Sequence, residues 1–140
     1  MKIAFTGKGG VGKTTIAALL IHNLAEAGDK VLAVDCDPDS NLGGALGFKF
    51  TTDLKPISKM KDLIYERMEI KDNNPLLYKL NPSIEDIPDI FTKKMGNINL
   101  LVMGTVEKSG QGCVCPESVF LRNLLNRIML TKDEHVVLDM

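Results

Sequence analysis

Gly7-Lys8-Gly9-Gly10-Val11-Gly12-Lys13-Thr14-Thr15 is the stretch that decides the fold. It follows a short strand pattern, Lys2–Phe5, and leads into a helical pattern from Thr14 to Ala27. Glycine, four residues, then Gly-Lys-Thr between a strand and a helix is the phosphate-loop pattern. Its glycines let successive backbone N–H groups turn inward around a β-phosphate, and the helix N-terminus adds roughly half a positive charge. Lys13 is placed to bridge β- and γ-phosphates, and the Thr14 hydroxyl to bind Mg²⁺. Gly7, Gly9 and Gly12 also satisfy the dinucleotide pattern G-x-G-x-x-G, with Asp35 where a ribose-binding acid belongs. A dinucleotide site has no use for a lysine followed by two hydroxyls, so Lys13-Thr14-Thr15 favours a nucleoside triphosphate.

Outward from the loop the elements alternate. Ile16, Leu19, Leu20, Leu24 and Ala27 suit one buried helix face, and Gly28 is a natural stop. Lys30–Val34 is an apolar strand suited to burial on both faces, and Leu42–Leu46 a short helix. From about 49 to 97 the chain is charged and contains Pro56, Pro75, Pro82 and Pro88, which suggests a solvated insertion or a docking surface. One helix is expected inside it, Ile57–Met68. A strand at Ile98–Met103, a helix from Pro116 to about Leu130 and a strand at His135–Asp139 complete the order. The expectation is an α/β parallel-sheet P-loop nucleotide-binding fold with flanking helices, forming one domain over residues 1–140.

Composition narrows the function classes. The 140 residues are 44% hydrophobic and 25% charged, as in a globular domain. Six residues, Ile16–Ile21, form the longest apolar run, against the roughly 20 that a membrane span needs. Seventeen basic and eighteen acidic residues give a net charge of −1, with five Phe, two Tyr and no Trp. Neither a polybasic surface nor a base-stacking platform is implied, so no nucleic acid is expected. Three cysteines do not make a disulfide scaffold and fit a reducing cytoplasm.

Two groups beyond the loop carry chemistry. Asp139 ends the apolar run Val136-Val137-Leu138, and an acid at such a tip beside a phosphate loop would hold Mg²⁺ through water. Cys113 and Cys115 lie between a glycine-rich loop and a helix start, which would lower the thiol pKa of Cys115. Two thiolates are half of a tetrahedral Cys₄ site, and a two-fold dimer axis through the metal would supply the other half. Soft thiolates suit Ni²⁺ or Zn²⁺. Cys36 suits packing, and His22 and His135 carry no assignment.

The extra lysine at Lys8 makes Lys-Gly-Gly-Val-Gly-Lys-Thr-Thr resemble the deviant Walker A motif of the MinD/ParA/nitrogenase iron protein class of ATPases. That resemblance implies ATP rather than GTP, and implies that Lys8 acts across an ATP-bound homodimer on the partner's nucleotide. It also implies that Asp37, the Asp before Pro38, orients the attacking water, with Asp35 in the outer shell of Mg²⁺. Within the class, Cys113-Val114-Cys115 and the runs Val34–Ser40, Met60–Asp62 and Val137–Met140 resemble the CooC-type accessory proteins. Those proteins mature carbon monoxide dehydrogenase by nickel insertion, so its apoenzyme is the implied partner.

A partitioning or septum-type scaffold ATPase without metal, an iron–sulfur electron-transfer ATPase and a nicotinamide oxidoreductase are the rival readings. The class carries a further switch loop, base contacts and strands beyond a position like Asp139. The resemblance therefore implies an N-terminal part with weak or absent ATPase activity alone. An exposed face or open edge is then expected on the last strand, Val136–Leu138.

Overall fold

The computed structural model describes residues 1–49, 54–71, 77–104, 115–131 and 134–140. Five strands, β1 (Lys2–Phe5), β2 (Val31–Asp35), β3 (Lys93–Met95), β4 (Ile98–Val102) and β5 (His135–Asp139), form one sheet in the order β1-β5-β2-β4-β3. All neighbours run parallel except the β3–β4 pair, an antiparallel hairpin closed at Gly96-Asn97. The helices are α1 (Lys13–Glu26), α2 (Leu42–Ala45), α3 (Lys61–Arg67), α4 (Ile87–Ile90) and α5 (Pro116–Thr131). The α/β parallel-sheet fold is the one expected.

Alternation along the strands builds two cores. Val31, Ala33, Ile98, Leu100 and Val137 face α1 and α2, while Leu32, Val34, Leu101, Val136 and Leu138 face α3 and α5. Strands buried on both sides must be apolar at nearly every position, and β2 is fully buried throughout. Ile57, Ile64, Met68, Ile84 and Ile87 are buried in the second core, so these described parts of the stretch at about 49–97 pack on one sheet face rather than standing in solvent.

Three local expectations are corrected. The buried face of α1 is Ala17, Ala18 and Ile21, whereas Ile16 and Leu19 are more than half exposed. Small alanines let the helix sit close to the sheet, which rotates the larger side chains outward. The expected helix at Ile57–Met68 is a 3₁₀ turn, Ile57–Lys59, followed by α3. Met60 leaves the helical region, and the Ser58 amide goes to the Met103 carbonyl at 3.0 Å instead of a helical acceptor. Finally, β5 is no edge strand. It lies between β1 and β2 with Val136, Val137 and Leu138 at most 2% exposed. Among the described strands the parallel edge is β1, where Lys2 and Ala4 are exposed and Ile3 and Phe5 partly buried.

Gly104, just past β4, has φ +78, and a Cβ there would overlap the Ser58 hydroxyl and meet Pro56 Cβ at 3.1 Å. Gly44 in α2 faces open space. Gly104→Ala should cost about 2–4 kcal/mol from backbone strain and overpacking together. Gly44→Ala should gain about 0.5–1 kcal/mol. Urea unfolding of both variants checks the pair, and equal effects would contradict this packing.

Candidate functional site

The carboxyl ends of β1, β2, β4 and β5 share one edge of the sheet, where α/β folds bind ligands. In register, Phe5 faces Asp139 on one side of β5, and Asp35 faces Asp139 on the other. The main chain stitches this edge together: the Cys36 amide donates to the Asp139 carbonyl, and the Met103 amide to the Asp35 carbonyl, each at 2.8 Å.

The glycine loop leaves β1 and enters α1 at Gly12, whose φ of +87 is a left-handed conformation that glycine adopts without strain. The first helical bond runs from the Ile16 amide to the Gly12 carbonyl at 3.0 Å. The amides of Lys13, Thr14 and Thr15 therefore have no helical acceptor, and no acidic side chain in the first turn offsets their positive end. The Lys13 ammonium donates to the Lys8 carbonyl at 3.2 Å, closing the loop on itself. Lys8 and the loop from Gly7 to Gly12, Val11 included, are exposed.

A cavity of about 460 Å³ opens over this loop. It is lined by Gly9, Gly10, Gly12, Lys13, Thr14 and Thr15 from the loop and α1 start, and by Asp37, Asp39 and Asn41 from the segment after β2. Asn41 carries no motif and was not among the expected residues. Its place just before α2, in the same polar segment as Asp37, was the available signal.

Two buried carboxylates lie beneath the loop. Asp139 is fully buried; its Oδ2 accepts the Thr14 hydroxyl at 2.6 Å, and its Oδ1 has no partner among the described residues. An unpaired buried carboxylate oxygen beside a threonine hydroxyl at a phosphate loop suits a hard divalent cation. This donor set fits Mg²⁺. Asp35, also fully buried, accepts the amides of Asp37 and Leu42 on its two oxygens, each at 3.1 Å. Burial pushes its pKa up to about 6, the two amides pull it down, and the charge of Asp139 adds to the rise. Asp37 accepts the Asp39 amide on Oδ1 at 2.9 Å.

The structure therefore brings Gly9, Gly10, Gly12, Lys13, Thr14, Thr15 and Asp37 to one cavity, with Asp139 bonded to its Thr14 and Asp35 to its Asp37. Cys36, buried 4.0 Å from the Met103 sulfur, has its thiol pushed up to about 12 by burial and by Asp35 and Asp139. It is packing. Cys115 is a partly exposed free thiol 3.1 Å from the Ser118 hydroxyl at the start of α5. Cys113 lies outside the described residues. Among the described residues no helix is long and apolar enough to cross a membrane.

Residues 2–112 match the CobQ/CobB/MinD/ParA nucleotide binding domain. The chain is 50% identical over 141 residues to an uncharacterized ATP-binding protein of Methanocaldococcus jannaschii, covering 100% of this chain and 54% of that protein. It is 46% identical over 142 residues to the carbon monoxide dehydrogenase accessory protein CooC of Rhodospirillum rubrum, again covering 100% and 54%. Among solved structures it is similar to a plasmid partition protein from Borrelia burgdorferi, with a TM-score of 0.51 at 19% identity, covering 99% of this chain and 54% of that one. That likeness concerns the fold. The chain spans about half the length of the curated relatives it matches.

Asp35 also makes stability depend on pH. Its folded pKa, about 6, lies above the unfolded 3.8, so its contribution is full below pH 3.8 and is lost as pH rises through 6. In EDTA without nucleotide, Asp35→Asn should gain on the wild type by roughly 2 kcal/mol between pH 4.5 and 7.5. Denaturant unfolding at both pH values measures this, and a pH-independent difference would contradict it.

Proposed function

The chain belongs to the CobQ/CobB/MinD/ParA nucleotide-binding family, and from that premise we propose that it is the nucleotide-binding part of an ATPase switch. The observation that carries this reading is the Thr14–Asp139 hydrogen bond with the second Asp139 oxygen left unpaired. The amides of the loop and the α1 N-terminus cradle the β-phosphate, and Lys13 leaves the Lys8 carbonyl to reach the β- and γ-phosphates. Thr14 and Asp139 hold Mg²⁺, with Asp35 beneath them. The cation, when bound, neutralises charge developing on the phosphates. Asp37 lines the same cavity as Lys13 and orients the water. Lys8, exposed at the loop, acts on the nucleotide of a second copy in a homodimer.

The identity to CooC supports a narrower role, as an accessory ATPase for nickel insertion into carbon monoxide dehydrogenase. In that role Cys113 and Cys115 of two copies hold Ni²⁺ or Zn²⁺ as cargo between them. The expected four thiolates complete a tetrahedral set that one chain lacks.

Two experiments on the full-length protein test these roles. Lys13→Ala should abolish binding of a fluorescent ATP analogue. Lys8→Ala should leave that binding intact and lower turnover at least about 100-fold, as loss of a transition-state cation does. Unchanged turnover would remove Lys8 from the mechanism. In size exclusion, Ni²⁺ or Zn²⁺ should shift the wild type to a dimer and leave a Cys113→Ala/Cys115→Ala variant unmoved. An identical metal response in both would eliminate the shared cysteine site, and metal-independent dimerisation of the wild type would favour a partition-type scaffold.

A further inference from the structure

Asp35 and Asp139 stand opposite each other in register, but their surroundings differ. Asp139 spends one oxygen on the Thr14 hydroxyl and keeps the other free, as an ion-facing group does. Both oxygens of Asp35 are spent on backbone amides, and those amides bracket one segment: Asp37 opens it and Leu42 closes it. The main chain of Asp35 is equally fixed, because its carbonyl accepts the amides of Met103 at 2.8 Å and Gly104 at 3.2 Å. One residue thus ties the six-residue span from Asp37 to Leu42 to the sheet at both ends.

Inside that span the bonds converge on Asp37. Its carbonyl accepts the Ser40 amide at 3.2 Å and the Ser40 hydroxyl at 3.3 Å, and its Oδ1 accepts the Asp39 amide. Ser40 has φ +43, a left-handed conformation that costs an ordinary residue about 1–2 kcal/mol and persists only when its surroundings hold it. Bonds at both ends of the span supply that hold. Among the described residues Asp37 Oδ2 keeps no protein donor, and Asp37 lines the cavity over the phosphate loop.

We propose that Asp35 is a positioning residue, whose carboxylate staples the Asp37 and Leu42 amides and so fixes Asp37 at the cavity, and that it is not part of the Mg²⁺ shell. The proposal rests on the reading that Asp37 orients the attacking water. Carboxylate chemistry explains the residue type: only Asp at this length offers two strong acceptors on one short, rigid stem, and charged acceptors bind amides more strongly than neutral ones. Asp139 is then the carboxylate that faces the cation.

Asp35→Asn, Asp35→Ala and Asp139→Asn in the full chain, at pH 7.5, decide it. Amide hydrogen exchange is read without nucleotide. In Asp35→Ala the Asp37 and Leu42 amides should exchange about tenfold faster or more, and in Asp35→Asn one of the two should keep its protection, because one acceptor remains. With a fluorescent ATP analogue, Mg²⁺ half-saturation should stay within about twofold in both Asp35 variants and rise about tenfold or more in Asp139→Asn. Turnover should fall about tenfold in Asp35→Ala with KM within about threefold, and recover in part in Asp35→Asn. Unchanged exchange at both amides, or a rise in Mg²⁺ half-saturation matching that of Asp139→Asn, overturns the proposal. Should Asp35→Ala not fold, the isosteric Asp35→Asn gives the same two readouts. A wild type that binds no nucleotide would defeat the proposed function, while amide exchange would still decide the staple.

Discussion

The site exists because β5 runs parallel between β1 and β2. Only that insertion sets Asp139 opposite Phe5, where the glycine loop begins, and opposite Asp35, where the Asp37 segment begins. The Thr14 hydroxyl can then reach Asp139 across 125 positions of sequence. A strand placed at the edge instead would leave the loop without a carboxylate beneath it. The apolar character of β2 and β5 follows from the same arrangement, since both are covered by helices on each face.

Burying two carboxylates side by side is costly, and the fold offsets that cost in different ways. Asp35 is compensated by two main-chain donors, yet burial still raises its pKa. Asp139 has one hydroxyl donor and an open oxygen, so its compensation stays incomplete within the protein. On the proposed function, a cation with bound phosphates would supply what Asp139 lacks, and nucleotide binding would relieve this local electrostatic strain in the same event.

Much of this was legible in the residues. The phosphate loop, the apolar runs of β2, β4 and β5 and the helix opening at Pro116 each carry a local signal strong enough to survive tertiary context. The hairpin strand Lys93–Met95 carries none: two lysines and a methionine owe their extended form to pairing with β4. Strand order was equally hidden, because apolar runs record burial and not neighbours. The face of α1 was misread for a physical reason, since close packing selects Ala17 and Ala18 over the larger Ile16 and Leu19. At the site, the residue types of Asp35, Asp37 and Asp139 were visible. The backbone amides that donate to Asp35 have no sequence signature, and neither does the position of Asn41 at the cavity.

The central claim is that Thr14 and Asp139 form a cation site beneath a triphosphate. A crystal structure of the full-length protein with a non-hydrolysable ATP analogue and Mn²⁺ tests it most directly, through the anomalous signal of the metal. The triphosphate is expected in the loop from Gly9 to Lys13, the Mn²⁺ on the Thr14 hydroxyl, and Asp139 turned toward it directly or through water. A metal peak away from Thr14, with the Thr14–Asp139 hydrogen bond intact, would contradict it.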